Sequence, residues 1–98
     1  MWRHGDVLIA TVVAVPEEGK RRSTPVLVHG ELTGHSHRLE DPHTAELWDC
    51  GGVLFVRVTA EAARIVHPEH LPITLPRGTY RVWQQREYSP KAIRRVVD

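Results

Sequence analysis

Two pairs of histidines are the residues whose types and spacing are best suited to chemistry in this chain. In the first pair, His35 and His37 follow Gly34 and are separated by one serine. Side chains two positions apart lie on the same face of an extended strand, so both imidazoles would point the same way. Histidine is the commonest metal ligand, and a first-row divalent ion takes about three or four donors at ~2.0–2.2 Å. One strand could therefore supply two ligands.

The second pair lies in the segment His67-Pro68-Glu69-His70. A turn after Pro68 would bring positions three apart onto one side, so His70 is a candidate third ligand. His67 is then either a fourth ligand or a partner that supports another ligand. The pairs are far apart in the chain and can meet only if the chain folds back on itself. Histidines that are solvated, or hydrogen-bonded and half-buried, are the alternative.

Two further residues near the first pair are reserve ligands, Glu40 and His43. Glu40 is also a candidate general base, because a metal site with an open position would need one to activate water. Glu31 is the other carboxylate close to the motif.

Short segments rich in β-branched residues would have to position these histidines. The apolar run at 6–15 is typical of a strand covered on both faces, and further strands are predicted at 25–32, 35–39, 45–50, 53–58 and 79–88. Residues 59–66 fit a helical turn or a strand, and 71–75 fit a half-buried or edge strand. Ser89-Pro90 resembles the start of a short C-terminal helical turn. The pattern predicts an all-β fold, a single small barrel or sandwich spanning residues 1–98.

Composition narrows the class of protein. The chain has 98 residues, which is the size of one domain, and a formal net charge of +1. Cys50 is the lone cysteine, so no disulfide can form within the chain, and the N-terminal residues do not resemble a signal peptide. No segment approaches the ~20 apolar residues needed to cross a bilayer. A cytoplasmic protein is expected.

The segment from Gly30 to Glu40, which contains the first histidine pair, resembles the first motif of cupins. In that motif a glycine precedes a His-x-His pair and a glutamate follows to complete a metal site. Pro76-Arg77-Gly78 resembles the Pro-x-Gly of the second cupin motif, although Arg81 stands where the family places its last histidine ligand. The resemblance implies a small β-barrel and a divergent member that recruits His70 or His67.

The leading functional hypothesis is a domain that binds one divalent ion, Zn²⁺, Ni²⁺, Fe²⁺ or Mn²⁺, through His35, His37 and His70, with His67 as a further ligand. The ion could be structural, or it could act as a Lewis acid at an open position. Whether the protein is an enzyme is left open. Metal-free RNA cleavage, with two histidines as general acid and base, is a further alternative.

A hypothesis of another class is a binding or assembly module for RNA or a larger protein complex. The last third of the chain is basic and carries aromatic residues, and arginines hold phosphates while aromatic rings stack bases. Self-association as a homo-oligomer would suit the proline-rich edge. The residues proposed for nucleic acid are Arg77, Arg81, Trp83, Arg86, Tyr88, Lys91, Arg94 and Arg95.

Overall fold

The computed structural model describes residues 1–29, 35–88 and 93–95, and all regular elements in these ranges are strands. In chain order they are β1 (Trp2–His4), β2 (Val7–Val12), β3 (Lys20–Arg21), β4 (Val26–His29), β5 (Ser36–Leu39), β6 (Ala45–Cys50), β7 (Val53–His67), β8 (His70–Gln84), β9 (Arg86–Tyr88) and β10 (Ile93–Arg95). The predicted all-β class is confirmed, and the main sheet curls into a half-barrel.

Strands β1 to β8 form one antiparallel sheet, in the order β1-β2-β8-β7-β5-β4. β6 pairs with the first half of β7 and β5 with its second half, so both lie along the same edge of β7. β3 pairs with β6, while β9 and β10 pair with each other as a separate two-stranded sheet. β7 and β8 are the longest strands, at 15 residues each. They pair with each other at the centre of the sheet, with β1 and β2 on the β8 side and the other strands on the β7 side.

Apolar residues on one face of the sheet form the core. Ile9, Val82 and Leu54 occupy registered positions on β2, β8 and β7, and all three are buried. Since strand side chains alternate between faces, their neighbours along each strand point away from this core. Full burial of one aliphatic side chain contributes about 1.5–3 kcal/mol, and the core cluster contains fourteen buried residues. The core therefore holds the curled sheet together.

Both ends of β8 lie beside the short turn that joins β1 to β2. At one end Gln84 donates a hydrogen bond to Oδ2 of Asp6 at 2.5 Å, and at the other the ring of His70 packs against Gly5. A straight strand of this length would span about 45 Å, so β8 must curl back on itself. This curl brings the tip of the β7–β8 hairpin to the β1–β2 turn.

An irregularity in the β7–β8 pairing accompanies the curl. Between the pairs Val58↔Gly78 and Ala62↔Pro76 the register shifts, with four steps along β7 against two along β8. Extra residues on one strand increase local twist and bend. Gly78 adopts a φ of 153°, a conformation that side-chain-bearing residues rarely adopt. The hydroxyl of Tyr80 donates to the carbonyl of Pro76 across this region.

Several element predictions need correction. Residues 59–66, ambiguous from sequence, belong entirely to β7, because pairing with β8 decides between the two local preferences. The strand predicted at 79–88 is interrupted at Gln85, where β8 has ended and β9 has not begun. The C-terminal helical turn is wrong for residues 93–95, which pair in register with β9 as β10. That pairing satisfies the backbone groups that a helical turn would have satisfied internally.

The segment at 71–75, predicted as a half-buried or edge strand, lies inside the long strand β8. Its neighbour β2 pairs only with residues 79–84 of β8. The half of β8 that contains Pro72 and Pro76 is thus paired with β7 alone, and it is an edge locally. Proline, which cannot donate a ladder hydrogen bond, is tolerated at such positions. Across the described ranges, no helix has the length and apolar character that crossing a membrane requires.

Candidate metal centre

The tip of the β7–β8 hairpin places two histidines opposite each other. His67 ends β7 and His70 begins β8, and the two are registered partners across the turn formed by Pro68 and Glu69. Directly opposed residues in an antiparallel ladder have neighbouring side chains. The ring centroids of His67 and His70 are 4.5 Å apart. A tight turn therefore makes one half of the site from four consecutive residues.

Strand β5 brings His37 to this pair. β5 runs along the second half of β7, with Arg38 opposite Val66 and Leu39 opposite Ile65. One step further along both strands, His37 comes beside His67, and their ring centroids are 4.4 Å apart. His37 is fully buried. Sheet pairing thus delivers an imidazole from a distant part of the chain to the hairpin tip.

Three of the predicted histidines converge on one point. His37, His67 and His70 each offer a nitrogen, and these nitrogens all lie within 4.8 Å of one another. Ligands of a four-coordinate ion with bonds of ~2.0–2.1 Å are about 3.4 Å apart, so movements on the order of 1 Å would bring the three into coordination distance. The arrangement can bind a transition-metal ion after a small contraction.

A fourth histidine and a carboxylate from the β1–β2 turn complete the cluster. His4, which ends β1, has its Nδ1 atom 2.9 Å from Nδ1 of His37. On the other side of the His37 ring, Nε2 lies 3.4 Å from Oδ1 of Asp6. His4 and Asp6 are 2% and 1% exposed. Neither was among the predicted site residues.

Burial and mutual repulsion favour the neutral form of the His37 and His4 rings. Desolvation, followed by the neighbouring His67 and His4, lowers the pKa of His37 from 6.5 to about 4, although Asp6 acts in the opposite direction. The pKa of His4 is also lowered, chiefly by desolvation, and the backbone of Leu71 partly opposes this. A metal ion binds the neutral imidazole, so at neutral pH protons compete weakly for the nitrogens of His37 and His4.

The ring of His67 is oriented by the turn itself. The backbone N–H of Glu69 donates a hydrogen bond of 3.0 Å to Nδ1 of His67. In the neutral ring this contact places the proton on Nε2. Coordination through Nε2 therefore requires the proton to move to Nδ1 and the Glu69 contact to break. For His67, metal binding through Nε2 thus carries the additional cost of losing this hydrogen bond.

His35 lies at the solvent side of the cluster, outside the three converging nitrogens. Its Nδ1 atom is 2.8 Å from Oε1 of Glu69, and its side chain is 37% exposed. Its ring centroid is 5.7 Å from that of His67. Because β5 begins at Ser36, His35 precedes the strand, and the alternation expected of a strand does not govern it. The two members of the first pair thus take different positions.

The reserve ligands point elsewhere. Glu40 pairs with Arg64 at 3.2 Å, and both side chains are about half exposed at 48%. His43 is 94% exposed and contacts Asp41. The other candidate base, Glu31, lies outside the described residues, as does most of the glycine-containing start of the cupin-like segment.

The residues proposed for nucleic acid are only partly described. Arg77 and Arg81 are exposed, and Trp83 is half-buried with the Arg81 guanidinium 5.5 Å from its ring centre. Arg77 also donates to the carbonyl of Ala60. Arg86 and Tyr88 lie in β9, and Arg94 and Arg95 lie in β10. Lys91 falls outside the described residues.

Sequence reasoning missed His4 and Asp6, and one signal could have found them. Gly5 between them marks a turn, and residues on either side of a tight turn are placed close together. His4-Gly5-Asp6 combines a ligand residue, a turn residue and a carboxylate. Its proximity to the other histidines, however, depends on the curl of β8, which no local pattern indicates.

Comparison with protein families identifies a match that covers most of the chain. Residues 3–85 match the model of a domain of unknown function, DUF8820. No curated protein matches the chain, and no solved structure matches it. The matched range contains all the histidines and the carboxylate of the cluster.

Proposed function

The chain belongs to the DUF8820 family of domains of unknown function, and we propose from its own residues that it binds one divalent transition-metal ion at the histidine cluster. The observation that carries the proposal is the approach of nitrogens from His37, His67 and His70 to within 4.8 Å of one another. Imidazole ligands suit Zn²⁺, Ni²⁺ and Fe²⁺ better than the oxygen-seeking Mg²⁺ and Ca²⁺. Mn²⁺ is the least suited of the four ions expected from sequence, since it favours oxygen ligands.

Burial supports the same proposal. His4, His37 and His67 are buried, and His70 is half-buried beside them. Removing polar rings from water is costly unless their nitrogens are compensated. Nε2 of His70 is buried and has no hydrogen-bond partner among the described residues. A bound cation would compensate that nitrogen and would also balance the buried carboxylate of Asp6. The cluster is therefore better explained as a ligand set than as core packing.

Metal titration of the full chain, purified without a histidine tag and stripped with a chelator, tests the proposal. We expect one Zn²⁺ or Ni²⁺ ion per chain and a rise in Tm, because a ligand at about 100 times its Kd adds about 2.7 kcal/mol of stability. His37→Gln should abolish both effects, whereas His43→Gln, at an exposed histidine, should abolish neither. Equal binding by wild type and His37→Gln would refute the site.

A second candidate function, single-stranded RNA binding, is favoured by the face of the sheet opposite the core. Trp48, Phe55 and Arg81 occupy registered positions on β6, β7 and β8; Phe55 is buried, Trp48 is half-buried and Arg81 is exposed. Two cation–π pairs lie on this face, Arg81 with Trp83 at 5.5 Å and Arg57 with Trp48 at 5.9 Å. Aromatic and guanidinium planes stack bases, and arginines attract phosphates.

Fluorescence anisotropy with a labelled single-stranded oligonucleotide tests this candidate. If the face is a binding platform, Arg81→Ala should weaken binding, because it removes both a charge and a stacking plane. Arg64→Ala removes an exposed arginine from the other half of β7 and should have less effect. Equal losses in the two variants, together with binding that disappears at moderate salt, would indicate only general charge attraction.

Other expectations from the sequence stay predictions. A cytoplasmic location rests on Cys50 as the single cysteine. Self-association rests on the proline-rich edge, and docking into a larger complex rests on the basic last third of the chain. The likeness to cupins rests on its motifs alone. Whether the bound ion has a catalytic role depends on how many protein ligands it has.

A further inference from the structure

The two nitrogens of His37 face different groups, and this difference bears on how many protein ligands the ion has. Nε2 faces the buried carboxylate of Asp6 at 3.4 Å, and Nδ1 faces Nδ1 of His4 at 2.9 Å. The negative charge of the carboxylate attracts the ring proton, so in the neutral His37 ring that proton belongs on Nε2, the nitrogen that faces Asp6. In metal sites the second nitrogen of a ligating histidine characteristically faces a carboxylate, a backbone carbonyl or water. Nδ1 is then the His37 nitrogen with a lone pair for an ion.

An ion bound at Nδ1 of His37 must also meet His4. The two Nδ1 atoms are 2.9 Å apart, which is too close for two lone pairs unless a proton or a cation lies between them. Two ligands of one ion, with bonds of ~2.0–2.1 Å, lie about 2.9 Å apart at a right angle and about 3.4 Å apart at the tetrahedral angle. The observed separation is at the short end of this range.

Asp6 is itself held in place. Gln84, at the far end of β8, donates to Oδ2 of Asp6 at 2.5 Å, while Oδ1 faces His37. The carboxylate is therefore fixed between the end of a core strand and the imidazole. Outer hydrogen bonds of this kind set the orientation and the tautomer of a ligating ring.

We propose that His4 is the fourth ligand, through Nδ1, of the ion held by His37, His67 and His70, and that Asp6 is a positioning residue for His37. The inference rests on the proposed metal-binding function and extends it. Four imidazoles fill a tetrahedral sphere, and sites closed by four protein ligands are structural, whereas catalytic sites keep a position for water. The ion would join the β1–β2 turn to β5 and to the hairpin tip, and its role is to stabilise the fold.

The charge of such a centre is consistent with its burial. Four neutral imidazoles with a divalent ion carry two positive charges, and the Asp6 carboxylate reduces the total to one. A buried charge is costly unless it is paired, so the carboxylate and the ion each reduce the cost of burying the other.

Co²⁺ titration of the full chain, with a count of imidazole ligands by X-ray absorption of the Zn²⁺ form, tests the proposal. Wild type should show the intense visible bands of tetrahedral Co²⁺ and four imidazoles per zinc. His4→Gln should weaken Co²⁺ binding about 100-fold or more, since even outer-sphere losses cost about 10–100-fold. Asp6→Asn should weaken binding within that smaller range and keep four imidazoles. His43→Gln is the matched histidine control and should match wild type.

The outcomes separate this inference from the proposed function. If wild type binds zinc with three imidazoles and a water, the four-histidine centre is wrong, and if His4→Gln binds Co²⁺ as wild type does, His4 is not a ligand. In both cases metal binding itself stands. If Asp6→Asn removes metal as fully as His37→Gln, Asp6 is a ligand and the assigned positioning role is wrong. If wild type binds neither ion, the proposed function fails as well. Because the ligand count uses wild type, the test stands even if His4→Gln does not fold.

Discussion

Replacing Gly5 by alanine tests whether the β1–β2 turn positions the metal centre. A Cβ atom at this position would lie 2.5 Å from Nε2 of His70, and 2.9 and 3.0 Å from two carbons of the same ring. An ordinary contact needs at least about 3.4 Å, so the ring would have to move by about 1 Å. The ligand nitrogens have to approach one another by about 1 Å to coordinate an ion, and metal–ligand distances then tolerate only about 0.2 Å. A methyl group that displaces the ring of His70 opposes this approach and weakens His70 as a ligand.

Gly51 provides the matched control. Gly5 and Gly51 have φ values of 63° and 55°, so alanine pays a similar left-handed backbone cost at both, about 1–2 kcal/mol. A Cβ atom at Gly51, however, would meet nothing within 4 Å. Any difference between the two variants thus reports the contact with His70.

Urea unfolding with and without Zn²⁺, together with metal titration, provides the measurements. Without metal, we expect both variants to lose about 1–2 kcal/mol, because the His70 ring can move aside. With metal, Gly51→Ala should keep the full stabilisation. Gly5→Ala should bind the ion about tenfold more weakly or worse, a loss of about 1.4 kcal/mol, which is about half of the stabilisation at about 100 times the wild-type Kd. Equal metal affinity in the two variants would refute the close approach of the turn to His70.

Three further predictions concern pH, the core and a surface ion pair. The pKa of His37 is about 4 in the folded chain against 6.5, so the unfolded chain binds this proton first. The unfolding free energy of the metal-free protein should therefore fall by about 3 kcal/mol as the pH falls from about 6.5 to about 4. Denaturant unfolding at a series of pH values measures this dependence, which His37→Gln should remove. Ile65→Ala, at a fully buried site, should cost about 2–5 kcal/mol by urea unfolding, while Leu71→Ala, 87% exposed, should change stability by less than about 0.5 kcal/mol. Arg22→Ala should cost about 1–2 kcal/mol in the same assay. Arg22 donates hydrogen bonds to both carboxylate oxygens of Asp49, at 2.9 and 2.6 Å, and to two backbone carbonyls. A loss as small as that of Leu71→Ala would contradict this.

Local sequence patterns predicted most strands but not their lengths. Ala45–Cys50 forms β6 with the predicted bounds. The alternation of its residues indicates which side chains point to the core, and the turn residues Gly51-Gly52 indicate where the strand ends. β7 extends well beyond the predicted 53–58, because residues such as Ala60 and Ala62 have weak preferences of their own and follow the partner strand. The C-terminal helical turn failed at 93–95 for the same reason, since pairing with β9 outweighs a cap-like dipeptide.

The sequence by itself determined the all-β class, the histidine-rich character of the site and the turn that sets His67 opposite His70. Each depends on residue type or on neighbours within a few positions. Only the tertiary structure decided that His37 lies inside the cluster and His35 at its rim, and that His4 and Asp6 join it. Those positions depend on the register of β5 on β7 and on the curl of β8, which are set by packing over the whole sheet.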